Sequence, residues 1–437
     1  MTMIRPIGVD LFAGAGGLSL GFEQAGFDIL AAVEIDPVHC AVHEYNFPHC
    51  ATICQSVTEI TGQEIRSRSE IGDREIDVVF GGPPCQGFSL MGKRLLDDPR
   101  NALVSHFIRI VSELQPKYFV MENVKGMAIG NHKNFIAEAI DKFGYYGYKV
   151  LQPYQVLNAA NYGVPQNRER LFLMGAREDL PLPEYPQPFT KPAGSTQKIA
   201  RQFAQLPDSP TVGEALQDLP DADRYSELKN RDWVKPVEFQ NTSAYVRALH
   251  TLGDGNYSYP RDYDRQSLTS SLRTKHTLES IQRFEKTKYG ETEPISRFLK
   301  LDPDGICNTL RAGTPSSRGA YTSPRPIHPY YPRCITVREA ARLHSYPDWF
   351  RFHVTKWHGC RQIGNSVPPL LGRSVAAEII KVLGFNLTVP DTLLSLGETE
   401  LLSLTMAEAA KRYGVPAHTI AQRSRKSKPT VDRLDST

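Results

Sequence analysis

A short apolar run followed by four small residues constrains the amino-terminal fold more than any other feature of this chain. Residues Ile7–Phe12 predict a strand, and the segment 14–17 (GAGG) predicts a tight turn that opens a helix. The next apolar run, Ile29–Val33, places Glu34 about 20 residues after the first glycine, where an acid reaches ribose hydroxyls in nucleotide-binding α/β folds. These features predict a Rossmann-like unit for an adenosine-containing ligand.

Two other interpretations of this turn remain open. A dinucleotide fingerprint requires a third glycine at the position of Ser19, so a nicotinamide-dependent oxidoreductase fits the pattern poorly. A glycine-rich turn made only for packing would look similar.

The segment GGPPCQGFS at 81–89 sets a cysteine behind two prolines. It follows the apolar run 76–80, which predicts a buried strand, and Pro83 and Pro84 each fix their own φ angle. The pattern predicts that Cys85 lies on a stiff loop at the carboxyl end of that strand, the edge where open α/β sheets bind ligands. A proline-rich turn with an incidental cysteine is the alternative.

A further strand, predicted over 118–121, is followed by Glu122. A carboxylate that emerges from a buried strand needs a partner, so Glu122 is either a salt-bridged structural residue or a working acid. Because the turn, Glu34, Cys85 and Glu122 all follow strands, we expect them to meet at one sheet edge.

The histidines and cysteines between 39 and 54 invite a zinc interpretation. No pair has the CxxC form, and His39 and Cys40 would point in different directions on a helix. We therefore predict core or surface helix residues and no metal.

Composition limits the remaining possibilities. With 437 residues and a net charge of +3, the chain predicts two or three domains and confines any nucleic-acid surface to a local cleft. Seven cysteines without framework spacing, no recognisable signal peptide and no apolar run long enough to span a bilayer predict free thiols in a reducing cytoplasm.

Six segments stand in a fixed order along the chain: DLFAGAGGLSLGF at 10–22, PPCQGFS at 83–89, ENV at 122–124, QNRER at 166–170, REAARLHSYPDWF at 338–350 and GNSVPP at 364–369. In this order they resemble the DNA (cytosine-5) methyltransferase family, over nearly all of 7–383 except about 180–325. The resemblance implies a methyltransferase domain with a mixed, mostly parallel sheet, a smaller irregular target-recognition domain, and a DNA cleft between them.

The resemblance assigns the catalytic roles. It implies that Cys85 attacks carbon 6 of a cytosine turned out of the duplex, which makes carbon 5 nucleophilic. It implies that Glu122, carrying a proton and hence with a raised pKa, neutralises ring nitrogen 3. Arg170 is expected to bind the exocyclic oxygen of cytosine, and Arg168 is expected to brace Glu122.

The resemblance also implies the cofactor S-adenosyl-L-methionine, with S-adenosyl-L-homocysteine as product. The residues expected to bind it are Phe12, Gly14, Gly17, Glu34, Ser56, Pro84, Leu103, Asn365, Ser366 and Val367. Ser56 stands where the family usually has an aspartate for the adenine amino group, and a hydroxyl accepts that hydrogen bond more weakly.

DNA contacts are expected in two places. The loop 86–101, with Gly87 and Gly92 as hinges, resembles the family loop that closes over DNA, although an ordinary solvated loop would look similar. In the recognition segment, the run 309–314 and the mixture of aromatic and basic residues between 245 and 276 suit a DNA groove. The residues selected are Ser89, Lys93, Arg94, Arg311, Thr314 and Arg318.

The domain boundaries follow from composition. We expect a catalytic domain over 1–180 that is completed by 336–385, with its last helix packed back on the amino-terminal half, and a target-recognition domain over 181–335. After residue 397, the segments 407–412, 414–416 and 419–425 predict a helix, a turn and a second helix. This pattern fits a small helix-turn-helix over 398–437, and a solvated amphipathic tail is the alternative.

These expectations combine into one prediction. The chain is expected to be a bacterial DNA (cytosine-5) methyltransferase that acts on double-stranded DNA as a monomer in the cytoplasm, at the nucleoid, alongside a separate restriction endonuclease. The alternatives are a tRNA-directed enzyme of the same fold, the nicotinamide-dependent oxidoreductase and a catalytically silent DNA-binding regulator.

Overall fold

The computed structural model describes residues 5–84, 102–128, 132–194, 203–239, 242–313 and 325–417. Nothing in this range forms a helix long and apolar enough to cross a membrane.

A central sheet organises the amino-terminal half, as the sequence predicted. Its strands follow in the order β3-β2-β1-β4-β5-β8-β6, and β7 pairs with β8. The strands from β3 to β5 in this order are parallel, whereas β6, β7 and β5 all run antiparallel to β8. The strands are β1 (Ile7–Leu11), β2 (Asp28–Glu34), β3 (Ala51–Cys54), β4 (Val78–Gly81), β5 (Tyr118–Val124), β6 (Tyr148–Val150), β7 (Gln155–Asn158) and β8 (Glu169–Arg177).

This strand order places a switch point between β1 and β4. The chain leaves β1 toward β2 and β3 and returns to the other side of β1 with β4. Parallel sheets bind ligands outside the carboxyl ends of the strands at such a point. The turn after β1 and the residues Pro83 and Pro84 after β4 meet there with Glu34 and Glu122, as expected, whereas Cys85 lies outside the described residues.

Helices cover both faces of the sheet and extend into the later segments. They are α1 (Gly17–Ala25), α2 (Pro37–Asn46), α3 (Gly62–Ser67), α4 (Ala102–Leu114), α5 (His132–Tyr145), α6 (Val212–Leu216), α7 (Ala244–His250), α8 (Leu278–Lys286), α9 (Val337–Leu343), α10 (Lys356–Asn365), α11 (Pro369–Leu383) and α12 (Met406–Tyr413). Two short strands, β9 (Arg261–Asp262) and β10 (Leu394–Ser395), pair separately.

Helix α11 returns to the amino-terminal half and packs against α1, as predicted. Gly21 allows this close approach, because a Cβ there would lie 2.7 Å from the carbonyl oxygen of Pro369. Leu371, Val375 and Ile379 form the buried face of α11. The carboxyl-terminal part of the chain thereby completes the domain that holds the sheet.

The segment between 203 and 313 shares its core with the sheet domain. Leu216 on α6 and Val246 on α7 belong to the same buried hydrophobic cluster as Phe22 and Phe80. The hydroxyl of Tyr245 donates a 2.6 Å hydrogen bond to the backbone carbonyl of Arg342 on α9. The expected recognition domain is therefore joined to the catalytic domain by continuous packing.

The expectation that aromatic and basic residues at 245–276 form a DNA surface is wrong for its buried members. Arg261 is only 7% exposed, and its guanidinium donates 2.9 and 2.8 Å hydrogen bonds to the two carboxylate oxygens of Glu23. Tyr259 donates a 2.9 Å hydrogen bond to Asp28. Arg261 and Tyr259 thus tie the later segment to α1 and β2, and Tyr245 ties it to α9. The guanidinium of Arg261 requires such a partner because an unpaired buried charge is costly.

The first helix predicted in the tail is present as α12, and Gly414 ends it with a φ of 65°. Leu401 and Leu402 pack with Ala41, Val42 and Tyr45 on α2, in a cluster that also contains Ala15. The second predicted helix, at 419–425, lies outside the described residues. The described part of the tail is thus packed against the catalytic domain.

Candidate active site

The turn after β1 forms one wall of the candidate site. Phe12 takes a φ of 62° and Gly14 a φ of 58°, so the strand ends sharply at Leu11. The backbone N–H of Gly14 donates a 2.8 Å hydrogen bond to one carboxylate oxygen of Glu34. The other oxygen accepts hydrogen bonds from the N–H groups of Ile35 and Asp36 at 3.0 and 2.9 Å. Glu34 is therefore held in one orientation at the end of β2.

These residues surround a cavity of about 610 Å³. Its walls come from the ends of β1, β2, β4 and β5 and from the carboxyl-terminal half. The predicted residues that line it are Phe12, Gly14, Gly17, Glu34, Pro84, Glu122, Arg168, Arg170, Arg311, Asn365, Ser366 and Val367. One cavity therefore unites most of the residues selected from the sequence.

Two residues expected to bind cofactor do not line this cavity. The hydroxyl of Ser56 lies 2.7 Å from that of Thr58, with which it shares a hydrogen bond. Leu103, on α4, packs against the hydrophobic cluster that contains Val104 and Phe107. The cofactor roles of Ser56 and Leu103 stay predictions.

Glu122 and Arg170 form an ion pair in the cavity wall. Arg170 Nε lies 2.8 Å from Glu122 Oε1. Burial raises the pKa of Glu122 above its ordinary value, although the charges of Arg170 and Arg168 act in the opposite direction. The raised pKa agrees with the expected proton-carrying role, because burial disfavours the ionised carboxylate.

The PPC segment reaches Glu122 through two close contacts. A Cβ at Gly82 would lie 2.6 Å from Glu122 Oε2, so glycine lets the chain pass this carboxylate without displacing it. Next to Glu122, the Asn123 amide donates a 2.8 Å hydrogen bond to the carbonyl of Pro83. These contacts fix the last described residues before Cys85 at the side of Glu122.

The expectation that Arg168 braces Glu122 is wrong, because Arg170 makes that contact. The fully buried guanidinium of Arg168 instead donates 2.7 Å hydrogen bonds to the carbonyls of Leu310, Gly364 and Ser366. A Cβ at Gly364 would collide with the backbone of Ala312. Arg168 therefore clamps the segment around Leu310 to the loop that precedes α11.

Of the residues selected for DNA contact, Arg311 is exposed and lines the cavity. Ser89, Lys93, Arg94, Thr314 and Arg318, together with the nucleophile candidate Cys85, lie outside the described residues. Their roles stay predictions.

Sequence reasoning missed a buried polar chain beneath the turn. Asp10, which lines the cavity, accepts a 2.6 Å hydrogen bond from Ser19, and the Ser19 hydroxyl lies 3.0 Å from His43 Nε2. Burial raises the pKa of Asp10 to about 8 and lowers that of His43 to about 3. The only sign of this polar chain in the sequence was Asp10, a charged residue inside the apolar strand β1.

Four more residues that were not expected at the site, Asp36, His39, Arg361 and Gln362, line the cavity with Glu34. Arg361 Nη1 donates a 3.0 Å hydrogen bond to Asp36 Oδ2. The N-cap position of Asp36 before Pro37 was visible in the sequence, but its distant partner was not.

The histidines and cysteines considered for zinc have other surroundings. Cys40 and Cys54 donate hydrogen bonds to the carbonyls of Glu34 and Ile35. Among the described residues, no group of three or more His, Cys, Asp or Glu side chains is arranged to hold a metal ion.

Comparison with known proteins agrees with this geometry. The sequence model of the family described as C-5 cytosine-specific DNA methylase matches residues 8–381. The chain is 57% identical to the type II methyltransferase M.XorII of Xanthomonas oryzae pv. oryzae over 425 residues, 97% of this chain and 96% of that protein. It is 33% identical to M1.HphI of Haemophilus parahaemolyticus over 379 residues, 86% of each chain.

Solved structures show the same fold. A candidate DNA modification methyltransferase encoded within a prophage of E. coli superposes with a TM-score of 0.69 at 34% identity, over 87% of this chain and all of that one. The Dnmt2 methyltransferase of S. pombe, at 15% identity and a TM-score of 0.52 over 87% of this chain and all of that one, resembles it in fold alone. The chain therefore belongs to the C-5 cytosine-specific DNA methylase family and is a DNA cytosine-5 methyltransferase that uses S-adenosylmethionine.

Proposed function

We propose that this chain methylates carbon 5 of a cytosine within a specific duplex DNA sequence, as the modification enzyme of a bacterial restriction-modification system. The observation that carries the proposal is the Glu122–Arg170 ion pair in one cavity with Pro84, Gly14 and Glu34. Similarity to M.XorII over nearly the whole chain supports the restriction-modification context.

The residues around the cavity fit S-adenosylmethionine. The cavity volume of about 610 Å³ is in the range of small-molecule sites. A Cβ at Gly14 would meet nothing within 4 Å, so the turn leaves open space in front of Glu34. The Glu34 carboxylate would hold the ribose hydroxyls, and Phe12, Gly17, Asn365, Ser366 and Val367 would hold the remainder. When bound, the cofactor supplies an electrophilic methyl group on a sulfonium.

The chain's own residues activate the cytosine. A thiolate at Cys85 would add to carbon 6, while the proton on Glu122 neutralises the charge that moves onto ring nitrogen 3. The ion pair keeps Arg170 beside Glu122, where its remaining N–H groups would donate to the exocyclic oxygen. Gly82 lies against the Glu122 carboxylate and Pro83 accepts a hydrogen bond from Asn123, so a thiolate at Cys85 would act on the same ring as the acid.

DNA would enter from the side where the recognition segment meets the cavity. Arg311 follows Leu310, which Arg168 clamps to the cofactor-binding loop, so a DNA contact by Arg311 would lie next to the reaction. Ser89, Lys93, Arg94, Thr314 and Arg318 remain candidate DNA contacts, and residues 181–335 the candidate recognition domain. The enzyme would act as a monomer at the nucleoid in the cytoplasm, independently of its cognate endonuclease.

Two measurements test this function. Bisulfite sequencing of DNA from cells that express the chain reports the methylated base and its sequence context, with Cys85→Ala as control. An oligonucleotide with 5-fluorocytosine at that position, incubated with cofactor, is expected to remain linked to the wild-type enzyme after denaturation. Methylation of tRNA and not of duplex DNA, or methylation by Cys85→Ala, would contradict the proposal.

A further inference from the structure

The cavity has a cationic side chain that neither the catalytic pair nor the recognition segment uses. Arg361 lies on α10, one helical turn before Asn365, and lines the cavity with it. Its Nη1 donates a 3.0 Å hydrogen bond to Asp36 Oδ2, and its guanidinium lies 5.3 Å from the centre of the Trp357 ring. These two contacts hold the guanidinium in place at the cavity wall.

Asp36 acts as a fixed support for Arg361. One of its oxygens caps α2 by accepting a 3.0 Å hydrogen bond from the N–H of Val38, and the other accepts the bond from Arg361. Burial opposes ionisation of Asp36, but the charges of His39 and Arg361 outweigh it and lower its pKa. The Asp36 carboxylate is therefore ionised, and both of its oxygens already accept a hydrogen bond. Within the described residues Arg361 donates only this one hydrogen bond, so most of its N–H groups remain for a ligand.

The surroundings of this ion pair are rich in hydrogen-bond donors. His39 and Gln362, 4% and 1% exposed, both line the cavity. His39 Nε2 and Gln362 Nε2 are buried nitrogen atoms for which the described structure provides no hydrogen-bond partner. His39 Nε2 lies 3.8 Å from Asp36 Oδ2 and so faces an anion already, whereas the Gln362 amide remains as a donor for a ligand, because buried polar groups are normally paired.

The other arginines of the described cavity wall either have partners of their own or lie on the side where DNA is expected. Arg168 donates to three backbone carbonyls, and Arg170 pairs with Glu122. Arg311 belongs to the recognition segment, on the side where DNA is expected. Arg361 is therefore the arginine available to an anion bound at the Glu34 side of the cavity.

We infer that Arg361, held by Asp36, binds the carboxylate at the amino-acid end of S-adenosylmethionine. The carboxylate is the only anionic group of that cofactor, and a guanidinium fork matches a carboxylate in shape and charge. Glu34, two residues from Asp36, is an acceptor suited to the ribose hydroxyls. A phosphate of the DNA backbone has the same anionic chemistry and is the competing ligand for Arg361.

Binding of S-adenosylhomocysteine and of its decarboxylated analogue, measured by calorimetry without DNA, tests this inference. Arg361→Gln is expected to weaken S-adenosylhomocysteine at least about tenfold, as for a charge-assisted hydrogen bond, and to leave the decarboxylated analogue within about twofold of wild type. Arg361→Lys is expected to restore part of the loss. Lys381→Gln removes a charge from an exposed ion pair with Glu378 and is the matched control.

A second variant separates ligand binding from a merely structural role. Asp36→Asn keeps a residue that caps helices but releases Arg361 from its ion pair. The preference for S-adenosylhomocysteine over the decarboxylated analogue is then expected to persist, whereas a structural role predicts that Asp36→Asn and Arg361→Gln weaken both ligands alike. Equal weakening of both ligands, or unchanged affinity for S-adenosylhomocysteine, overturns the inference.

DNA binding by the same variants, measured by fluorescence anisotropy, tests whether Arg361 binds a phosphate of the DNA backbone instead. Loss of DNA affinity in Arg361→Gln with unchanged S-adenosylhomocysteine binding would assign Arg361 to the DNA backbone and overturn the inference. The inference rests on the cofactor of the proposed function. Failure of the wild-type enzyme to bind S-adenosylhomocysteine would contradict both, whereas a wild-type enzyme that binds it with no effect of Arg361→Gln would contradict the inference alone.

Discussion

Arg170 Nε lies 2.8 Å from Glu122 Oε1, and this ion pair joins β8 to β5 at the edge of the sheet where Pro83 and Pro84 follow β4. Burial and the ion pair shift the pKa of Glu122 in opposite directions. Burial favours the protonated acid, and the guanidinium favours the carboxylate. A group balanced in this way can hold a proton near ring nitrogen 3 and share it as charge develops there.

Glu122→Gln is expected to slow methyl transfer by about 10²-fold or more, because an amide cannot deliver a proton in the transition state. The substitution keeps the size of the side chain, so binding of S-adenosylhomocysteine should stay within a factor of about two of the wild type. Single-turnover rates on the target duplex and calorimetry measure the two effects. An unchanged rate would remove Glu122 from the chemistry.

Substitution of Arg168 is expected to change the stability of the fold, whereas Glu122→Gln changes the rate of the reaction. The buried guanidinium of Arg168 satisfies the carbonyls of Leu310, Gly364 and Ser366. Lysine cannot reach all three, and each buried acceptor left without a donor costs about 1–3 kcal/mol. We expect Arg168→Lys to lower the free energy of unfolding in urea by about 3 kcal/mol. Arg177→Lys, in a more exposed ion pair with Asp179, is the control and should lower it by less than about 1 kcal/mol. Equal losses would show that the clamp does not stabilise the fold.

The raised pKa of Asp10 is expected to make the free energy of unfolding depend on pH. Burial raises its folded-state pKa from 3.8 to about 8. Between these values the folded chain holds a proton that the unfolded chain has released, so stability falls as pH rises through this window and is constant above it. The loss has an upper bound of about 6 kcal/mol, since one pKa unit corresponds to about 1.4 kcal/mol.

Asp10→Asn removes this titration and can still accept the hydrogen bond from Ser19. The variant should therefore gain stability relative to the wild type as pH is raised from 5 to 9. Urea unfolding at both pH values measures the difference. A difference that is the same at pH 5 and pH 9 would mean that Asp10 is ionised in the folded enzyme throughout.

The sequence predicted features that depend on neighbours along the chain. The turn at Gly14, the acid Glu34 and the acid Glu122 each lie at or near the carboxyl end of a strand, and parallel strands bring these ends together. Which arginine of QNRER reaches Glu122 depends instead on the antiparallel register that sets Arg170 opposite Val124. Local periodicity contains no information about that register.

Partners far apart in sequence explain the other differences. Arg261 has the composition of a DNA-binding residue, but Glu23, 238 positions away, neutralises it inside the protein. Asp36 and Arg361 are separated by 325 positions, so neither residue alone indicated an ion pair. A single sequence predicts elements and strand-end residues better than it predicts pairs that the tertiary fold creates.

The tail yields the last prediction. Leu401 and Leu402 are buried against α2, and Arg412 and Tyr413 donate 2.6 Å hydrogen bonds to the two carboxylate oxygens of Glu44. Helix α2 begins beside Glu34 and carries Asp36 and His39, so the tail supports the wall of the cofactor cavity from behind.

A chain that ends at residue 397 should therefore lose stability, and its affinity for S-adenosylhomocysteine should fall, because the removal exposes apolar residues of α2. A chain that ends at residue 417 keeps these contacts and should match the full-length protein in thermal unfolding and cofactor binding. DNA affinity of the 1–417 chain then reports on the proposed helix-turn-helix without disturbing α2: reduced affinity supports a DNA-binding module, and unchanged affinity supports a tail. Equal stability of the two truncated chains would contradict the supporting role of residues 398–417, since only the shorter chain lacks the leucines that cover α2.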